Sequence, residues 1–165
     1  MAESSSALIR RYLEAAAAAE SNSVSQLKTF ESEGDNVAVK AMFNAHRLET
    51  ELQHQHLVER LKTLEGNAPV ANNLLAHIFR LPAKAAQIAH RAHETSTQNL
   101  IAAYVFESNE IAMYESLITM AEAAGDTDTA DLARSIQAEE KVAAEKIWKL
   151  LPDAALDSAR AATGS

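Results

Sequence analysis

The sequence has 165 residues, a formal net charge of −8 at pH 7 and no cysteine. This length predicts one domain with a sizeable core. Without cysteine, disulfides, zinc fingers and thiolate-held iron–sulfur clusters are excluded, and a reducing cytoplasm is the compartment that the composition suits. The acidic balance argues against nucleic acid and anionic membranes as main partners. No stretch approaches the roughly 20 apolar residues that cross a bilayer, and the polar residues 1–6 do not resemble a secretory signal.

A nearly all-helical protein is indicated by a composition rich in alanine, with only four glycines and three prolines. Serines at positions 4–6 can cap a first helix that runs to about residue 32. Apolar residues at helical spacing form one face of this helix, and Glu20 occupies a core-type position on that face. Because an unpaired buried carboxylate costs several kcal/mol, Glu20 is a candidate functional residue.

A break at Gly34 precedes a second helix over about residues 37–64. The core-facing stripe of this helix is apolar at both ends. Its middle carries His46, Glu49, Gln53 and His56. This pattern predicts a bundle helix with a polar or metal-binding level at mid-height.

A long connection over residues 70–92 is predicted to contain a short helical piece, over residues 71–79, that breaks before Pro82. A third helix follows and ends near residue 124. It carries Glu107 and Glu110 on its apolar face, where residues three apart are neighbours. Two carboxylates at this spacing repel each other unless a cation or a shared proton lies between them.

A fourth helix, over about residues 129–151, places Glu140 in its apolar stripe and is predicted to end at Pro152. The predicted domain organisation is a bundle over residues 1–151 and a tail over residues 152–165 that is partly disordered or loosely docked. Two antiparallel helical hairpins joined by a long crossover are typical of an all-α, ferritin-like four-helix bundle, which is the predicted fold class.

Each predicted helix carries an acid in its core stripe, and simple geometry indicates that these acids meet. Residues equally distant from the turn of an antiparallel hairpin lie at the same height. Glu20 is therefore level with Glu49 across the first turn, and Glu110 is level with Glu140 across the second. Glutamates can bridge two hard or borderline cations, and imidazole or amide groups can complete the open positions. We therefore predict a dinuclear metal site, with Glu107 or Glu49 as the favoured bridge.

Four sequence motifs resemble the YciF/YciE-type family of ferritin-like proteins. They are Glu20, H-R-L-E-T-E-L-Q over residues 46–53, E-S-N-E-I-A-M-Y over residues 107–114, and A-E-E-K over residues 138–141. The resemblance extends from about residue 7 to residue 151, in the same order and spacing. It implies a bacterial, cytoplasmic, stress-associated four-helix protein that is often dimeric and is related to rubrerythrin and the di-iron carboxylate proteins.

One departure from the di-iron pattern concerns histidine. Di-iron relatives carry E-x-x-H on two helices, but here Leu52 follows Glu49 at that spacing and Ala143 follows Glu140. The predicted site is therefore rich in glutamate. The missing histidines also support an alternative, a metal-free structural or interaction bundle in which burial and like charge raise the pKa of the core glutamates.

The predicted metal ligands are five carboxylates, with an amide or an imidazole completing the shell: Glu20, Glu49, Glu107, Glu110 and Glu140, with Gln53 or His46. Iron is the expected metal, and manganese or zinc are alternatives. The reaction, if there is one, would be oxidation of Fe(II) or reduction of peroxide, and simple sequestration of metal stays open. A homodimer is expected from the family and from spare apolar residues, Leu48, Leu52, Val58 and Ile78.

Overall fold

The computed structural model describes residues 4–64 and 94–164. Within these residues the chain forms four helices, α1 (Ser5–Glu33), α2 (Val37–Thr63), α3 (Thr95–Ala123) and α4 (Thr127–Thr163). The prediction of an all-α four-helix bundle is confirmed. The predicted short helical piece over residues 71–79 lies outside the described residues. Over the described ranges, no helix combines the length and the apolar character that a membrane span requires.

Local signals in the sequence fix where the helices begin and turn. At the start of α1 the Ser4 hydroxyl accepts the N–H of Ala7 at 3.2 Å. At the start of α2 the Asn36 side-chain oxygen accepts the N–H of Val39 at 3.1 Å. Each contact satisfies a helix N–H that has no partner within its own helix. Gly125, between α3 and α4, has a φ of 74°, a left-handed conformation that glycine adopts at little cost. The two hairpins are therefore closed by short, well-defined turns.

In the bundle, α1 packs along α2 and α3 packs along α4, while α1–α3 and α2–α4 contacts join the two hairpins. The apolar core forms two clusters. Large buried members of the first are Ile9, Leu13, Leu57, Leu117 and Ile136. Large buried members of the second are Leu27, Val39, Phe43, Leu100 and Ile147. On every helix, a set of buried polar residues falls between the two clusters, and we call this set the polar level: Glu20, Ser23, His46, Thr50, Gln53, Glu107, Glu110, Gln137 and Glu140.

The fourth helix does not end at Pro152, so that prediction is wrong. Proline lacks the N–H that a helix interior uses, yet α4 continues through Pro152 as far as Thr163. The reason is packing beyond the proline: Ala154 is only 3% exposed and belongs to the second apolar cluster. The Ser158 hydroxyl lies 2.8 Å from the Thr97 hydroxyl of α3. The predicted boundary between bundle and tail thus falls inside a continuous helix.

The apolar residues assigned to a dimer face have different surroundings. Leu48 and Leu52 are 50% and 55% exposed, and they lie one turn apart on α2. Val58 is partly buried, and Ile78 lies outside the described residues. The homodimer stays a prediction that rests on Leu48 and Leu52.

A polar brace joins the C-terminal part of α2 to the start of α4. Arg60 donates to the Thr129 hydroxyl at 2.9 Å and to the Asp126 carboxylate at 2.6 Å. Partial burial acts to raise the pKa of Asp126, but the hydrogen bonds from Thr129 and the Arg60 charge outweigh it and lower the pKa. The brace therefore holds an ionised Asp126 that also caps α4.

Replacing the brace arginine is expected to destabilise the bundle. Arg60→Ala should lower the free energy of unfolding by about 1–2 kcal/mol, because it leaves a partly buried carboxylate without its charged donor. Arg134→Ala is the matched control, since Arg134 is 48% exposed and its partners, Asp131 and Glu122, are exposed as well. Its loss should cost less than about 0.5 kcal/mol. Urea unfolding of both variants measures the difference, and equal losses would contradict a special role for Arg60.

Candidate metal centre

Four buried carboxylates meet in the polar level. Glu20 of α1, Glu107 of α3 and Glu140 of α4 are at most 1% exposed, and Glu110 of α3 is 4% exposed. The buried imidazole of His46 comes from α2, so each helix contributes at least one side chain. Glu107 and Glu110 both face inward because residues three apart lie on the same side of a helix.

These side chains form two adjoining groups that could each hold a cation. One group contains His46, Glu107 and Glu140, and the other contains Glu20, Glu110 and Glu140. Within each group, one ligand atom from every residue lies within 4.8 Å of the others. Glu140 belongs to both groups. The sequence had favoured Glu107 or Glu49 as the bridge, but the position common to both groups is that of Glu140.

Hydrogen bonds orient three of the four carboxylates. The Ser23 hydroxyl donates to Glu110 Oε1 at 2.7 Å, and His46 Nε2 lies 3.0 Å from Glu107 Oε1. The Tyr114 hydroxyl donates to Glu20 Oε1. Burial, followed by the negative Glu20, raises the pKa of Tyr114, so its hydroxyl keeps the proton that it donates. Each contact leaves the second carboxylate oxygen available.

Several of those second oxygens have no partner. Glu20 Oε2, Glu107 Oε2 and both oxygens of Glu140 are buried and accept no hydrogen bond from an N–H group or a hydroxyl within residues 4–64 and 94–164. No lysine or arginine is among the buried polar residues of the same ranges. Buried polar atoms are normally paired, so these oxygens require either protons or a cation. Carboxylates with one imidazole form a donor set that suits iron, manganese or zinc.

The pKa values of the four glutamates reflect the same cost of burying negative charge. Burial is the largest cause that raises the pKa of Glu20, Glu107 and Glu140 well above the ordinary value. The charges of neighbouring carboxylates raise these pKa values further. Burial also raises the pKa of Glu110 to about 6, although the Ser23 hydrogen bond and the nearby His46 lower it. Without a cation, the cluster therefore retains protons at pH values where ordinary glutamates are ionised.

Glu49 lies outside both groups. Its side chain is 44% exposed, and its oxygens are 3.8 Å from His46 Nδ1 and 3.8 Å from Lys146 Nζ. The inward position at this height is taken by Thr50, which is fully buried and donates to the His46 carbonyl at 3.0 Å. Counting from the turn predicted a level for Glu49 but not the direction of its side chain.

The other predicted polar residues of α2 are divided between core and surface. Gln53 is buried, donates to Glu139 at 3.0 Å and has an unpartnered Oε1 in the described chain, but it belongs to neither group. His56 is exposed. Ser23 was missed by the sequence analysis. Its spacing of three from Glu20, on the same helix face, was the signal that could have identified it.

Three solved structures have the same fold over most of their length. A protein from Xanthomonas campestris is 22% identical, with a TM-score of 0.79, over 97% of this chain and 99% of that chain. YcfI from Rhodopseudomonas palustris is 23% identical, with a TM-score of 0.74, over 88% of this chain and 93% of that chain. The stress protein YciF from Escherichia coli is 20% identical, with a TM-score of 0.77, over 93% of this chain and 98% of that chain.

At these identities the structural likeness shows a common fold, and the likeness to YciF agrees with the family resemblance of the motifs. The relation to rubrerythrin and the di-iron proteins stays a prediction. No curated protein matches the sequence. Residues 7–160 match the family described as a domain of unknown function, DUF892. This chain belongs to the DUF892 family.

Proposed function

We propose that the bundle binds two metal ions in the polar level, one in each carboxylate group. The ligands would be Glu20, Glu107, Glu110, Glu140 and His46. The observation that carries the proposal is Glu140, which is fully buried and common to both groups, and neither of its oxygens accepts from an N–H group or a hydroxyl within the described residues. A carboxylate that faces two cation positions at once is suited to bridging them.

Charge balance favours two divalent ions over one. Four ionised carboxylates carry four negative charges, and two divalent ions carry four positive ones. With a neutral His46, such a site is electrically neutral, which removes most of the cost of burying the acids. The tyrosine and serine hydroxyls of Tyr114 and Ser23 would hold Glu20 and Glu110 in orientation, as groups around metal ligands commonly do.

Iron(II) is the metal that we expect, and manganese(II) or zinc(II) suits the same donors. Two adjacent iron ions, when bound, supply redox chemistry toward dioxygen or peroxide. Gln53, through its buried and unpartnered Oε1, could complete the shell. We connect this chemistry to a cytoplasmic stress response because YciF, a protein of the same fold, is described as a stress protein.

The metal content of protein purified without chelators, and of protein reconstituted with iron, tests the proposal. Wild type is expected to bind close to two equivalents. Glu107→Ala should lose at least one, since Glu107 is buried in one of the two groups. Glu49→Ala should retain nearly all of the metal because Glu49 lies outside both groups. Circular dichroism and a Glu107→Gln variant control for misfolding.

Two results would overturn the proposal. The first is a reconstituted wild type that binds less than half an equivalent. The second is a folded Glu107→Ala protein that binds as much metal as wild type. Peroxide consumption by the iron-loaded protein then distinguishes an oxidase or peroxidase role from sequestration.

One observation favours a second candidate function, a metal-free structural or interaction bundle. When one carboxyl of the Glu107–Glu140 pair keeps its proton, it can donate to the other, and this hydrogen bond affects the pKa of both residues. Protons could thus neutralise part of the cluster. One proton on this pair leaves three of the four carboxylates to be neutralised by further protons, whereas two divalent ions neutralise all four. For this reason metal binding is the better-supported function.

A further inference from the structure

A pocket of about 420 Å³ lies between α2 and α4, beside the carboxylate cluster. Its apolar wall is formed by four side chains, Met42, Ala45, Ala143 and Leu150. Its polar lining consists of three basic side chains, His46, Lys146 and Lys149. The volume is within the range of small-molecule sites, which combine apolar walls with a few polar groups that orient the ligand.

His46 connects this pocket with the interior. Its Nε2 faces Glu107 at 3.0 Å, but Nδ1 makes no hydrogen bond in the part of the chain that the structure describes. The ring is only 4% exposed, so an unpartnered nitrogen on it is costly. When Nε2 accepts a hydrogen bond or binds a cation, the ring proton lies on Nδ1, which then needs an acceptor. A ligand in the pocket could supply that acceptor.

Lys146 and Lys149 give the pocket a cationic rim. They lie three residues apart, on one face of α4. Their side chains are 48% and 74% exposed, and each has an acidic neighbour, Glu49 at 3.8 Å and Glu145 at 3.2 Å. Exposed pairs of this kind contribute little. Both ammonium groups can therefore turn toward an anion in the pocket.

The position of Glu49 shows that one carboxylate can lie between the imidazole and the rim. Its two oxygens lie 3.8 Å from His46 Nδ1 and 3.8 Å from Lys146 Nζ. Both distances exceed the 2.7–3.2 Å of a normal N–H···O hydrogen bond. A carboxylate that is not tied to the backbone of α2 could approach both groups more closely. A ligand carboxylate that makes these two contacts takes the place of Glu49, whose side chain is 44% exposed and can turn toward solvent.

We propose that this pocket binds an aliphatic monocarboxylate. The carboxylate accepts from His46 Nδ1–H and from the ammonium of Lys146, with Lys149 adding charge. The alkyl chain packs against Met42 and Leu150. Binding shares His46 with the metal site proposed above, but it needs no metal and can therefore be tested in its absence.

Octanoate binding to the full chain in the presence of EDTA tests the proposal. Isothermal titration should show saturable binding with a dissociation constant of about 1 mM or tighter, and methyl NMR should show shifts at Met42 and Leu150. Octylamine, which has the same chain and the opposite charge, should bind at least about tenfold more weakly, equivalent to 1.4 kcal/mol.

Matched variants locate the site. Ala45→Trp fills the pocket from the exposed side of α2 and should weaken octanoate binding at least about tenfold, whereas Ala112→Trp on the exposed side of α3 should leave it unchanged. The double change Lys146→Glu/Lys149→Glu should have a similar effect. Lys28→Glu/Lys62→Glu alters the net charge equally at exposed positions outside the pocket, and it should have little effect.

Three results would overturn the inference: no saturable binding of octanoate, equal binding of octylamine, or equal binding by the Ala45→Trp and Ala112→Trp proteins. Loss of binding in Ala45→Trp but not in Lys146→Glu/Lys149→Glu would overturn recognition of the carboxylate. Because all titrations use EDTA-treated protein, none of these results bears on whether the cluster binds metal.

Discussion

Adding Mn(II), or Fe(II) without oxygen, to the chelator-treated protein is expected to raise its melting temperature by about 5–10 °C for each occupied site. A ligand that binds only the native state, at about 100 times its dissociation constant, stabilises that state by about 2.7 kcal/mol. In a domain of this size, 1 kcal/mol corresponds to about 2–4 °C. The effect is large because the buried acids destabilise the metal-free native state, and an ion removes that cost. Thermal unfolding followed by circular dichroism measures it.

The variant Glu140→Gln is expected to lose most of this shift because Glu140 serves both groups. Glu145→Gln is the matched control, since Glu145 lies on the same helix with a side chain that is 73% exposed. It should respond to metal as wild type does. A wild-type melting temperature that does not change with Fe(II), Mn(II) or Zn(II) would favour the metal-free structural bundle instead.

The helices and the heights of the acids were accessible from the sequence because both depend on local signals. Gly34 and Gly125 mark short turns, so counting from each turn predicts which residues are level. This worked for Glu110 and Glu140, which belong to the same group. It could not predict the direction of the Glu49 side chain, because a shift of one residue rotates a side chain by about 100° around the helix. Thr50 takes the inward direction instead.

The contact that His46 makes in the site, like the direction of the Glu49 side chain, could not be predicted from local sequence patterns. Neither Glu49 nor Glu140 is followed by a histidine three residues later, so no histidine ligand is predicted at the usual E-x-x-H position. His46 instead comes one turn before Glu49 and reaches Glu107 across the bundle at 3.0 Å. Contacts between diagonal helices depend on how two hairpins pack, which no local pattern encodes. Pro152 failed as a stop signal for the same reason, since the buried Ala154 outweighs the lost hydrogen bond.

In the absence of metal, the protein is expected to be more stable at pH 5 than at pH 7.5. A carboxyl whose pKa is raised on folding gives stability that is fully present below its unfolded pKa and is lost as pH rises through the folded pKa. For Glu110 these two values are 4.5 and about 6, which corresponds to about 2 kcal/mol. The raised pKa values of Glu20, Glu107 and Glu140 act in the same direction.

Asp126 titrates outside this window. Its pKa is lowered from 3.8, so the stability that it contributes is lost only as pH falls below that value. Urea unfolding in EDTA at pH 5, 6 and 7.5 measures the dependence, and comparison with Glu110→Gln isolates the part that Glu110 contributes. Glu110→Gln should reduce the change in stability between pH 5 and pH 7.5 by about 1 kcal/mol, because part of the full effect lies below pH 5, and Glu145→Gln should leave it unchanged. A metal-free protein whose stability is constant or increases across this range would show that the buried acids hold no extra protons.

Metal should reverse the sign of this dependence. Ions bind the ionised carboxylates, so protons compete with them, and the affinity for metal falls as pH decreases. The stabilisation by Mn(II) is therefore expected to be small at pH 5 and large at pH 7.5, where the metal-free protein is weakest. Metal-loaded and metal-free proteins should show stability curves with opposite slopes between these pH values. Parallel curves would mean that the metal binds at a place other than Glu20, Glu107, Glu110 and Glu140. Metal and protons compete at this cluster only if both bind the same carboxylates.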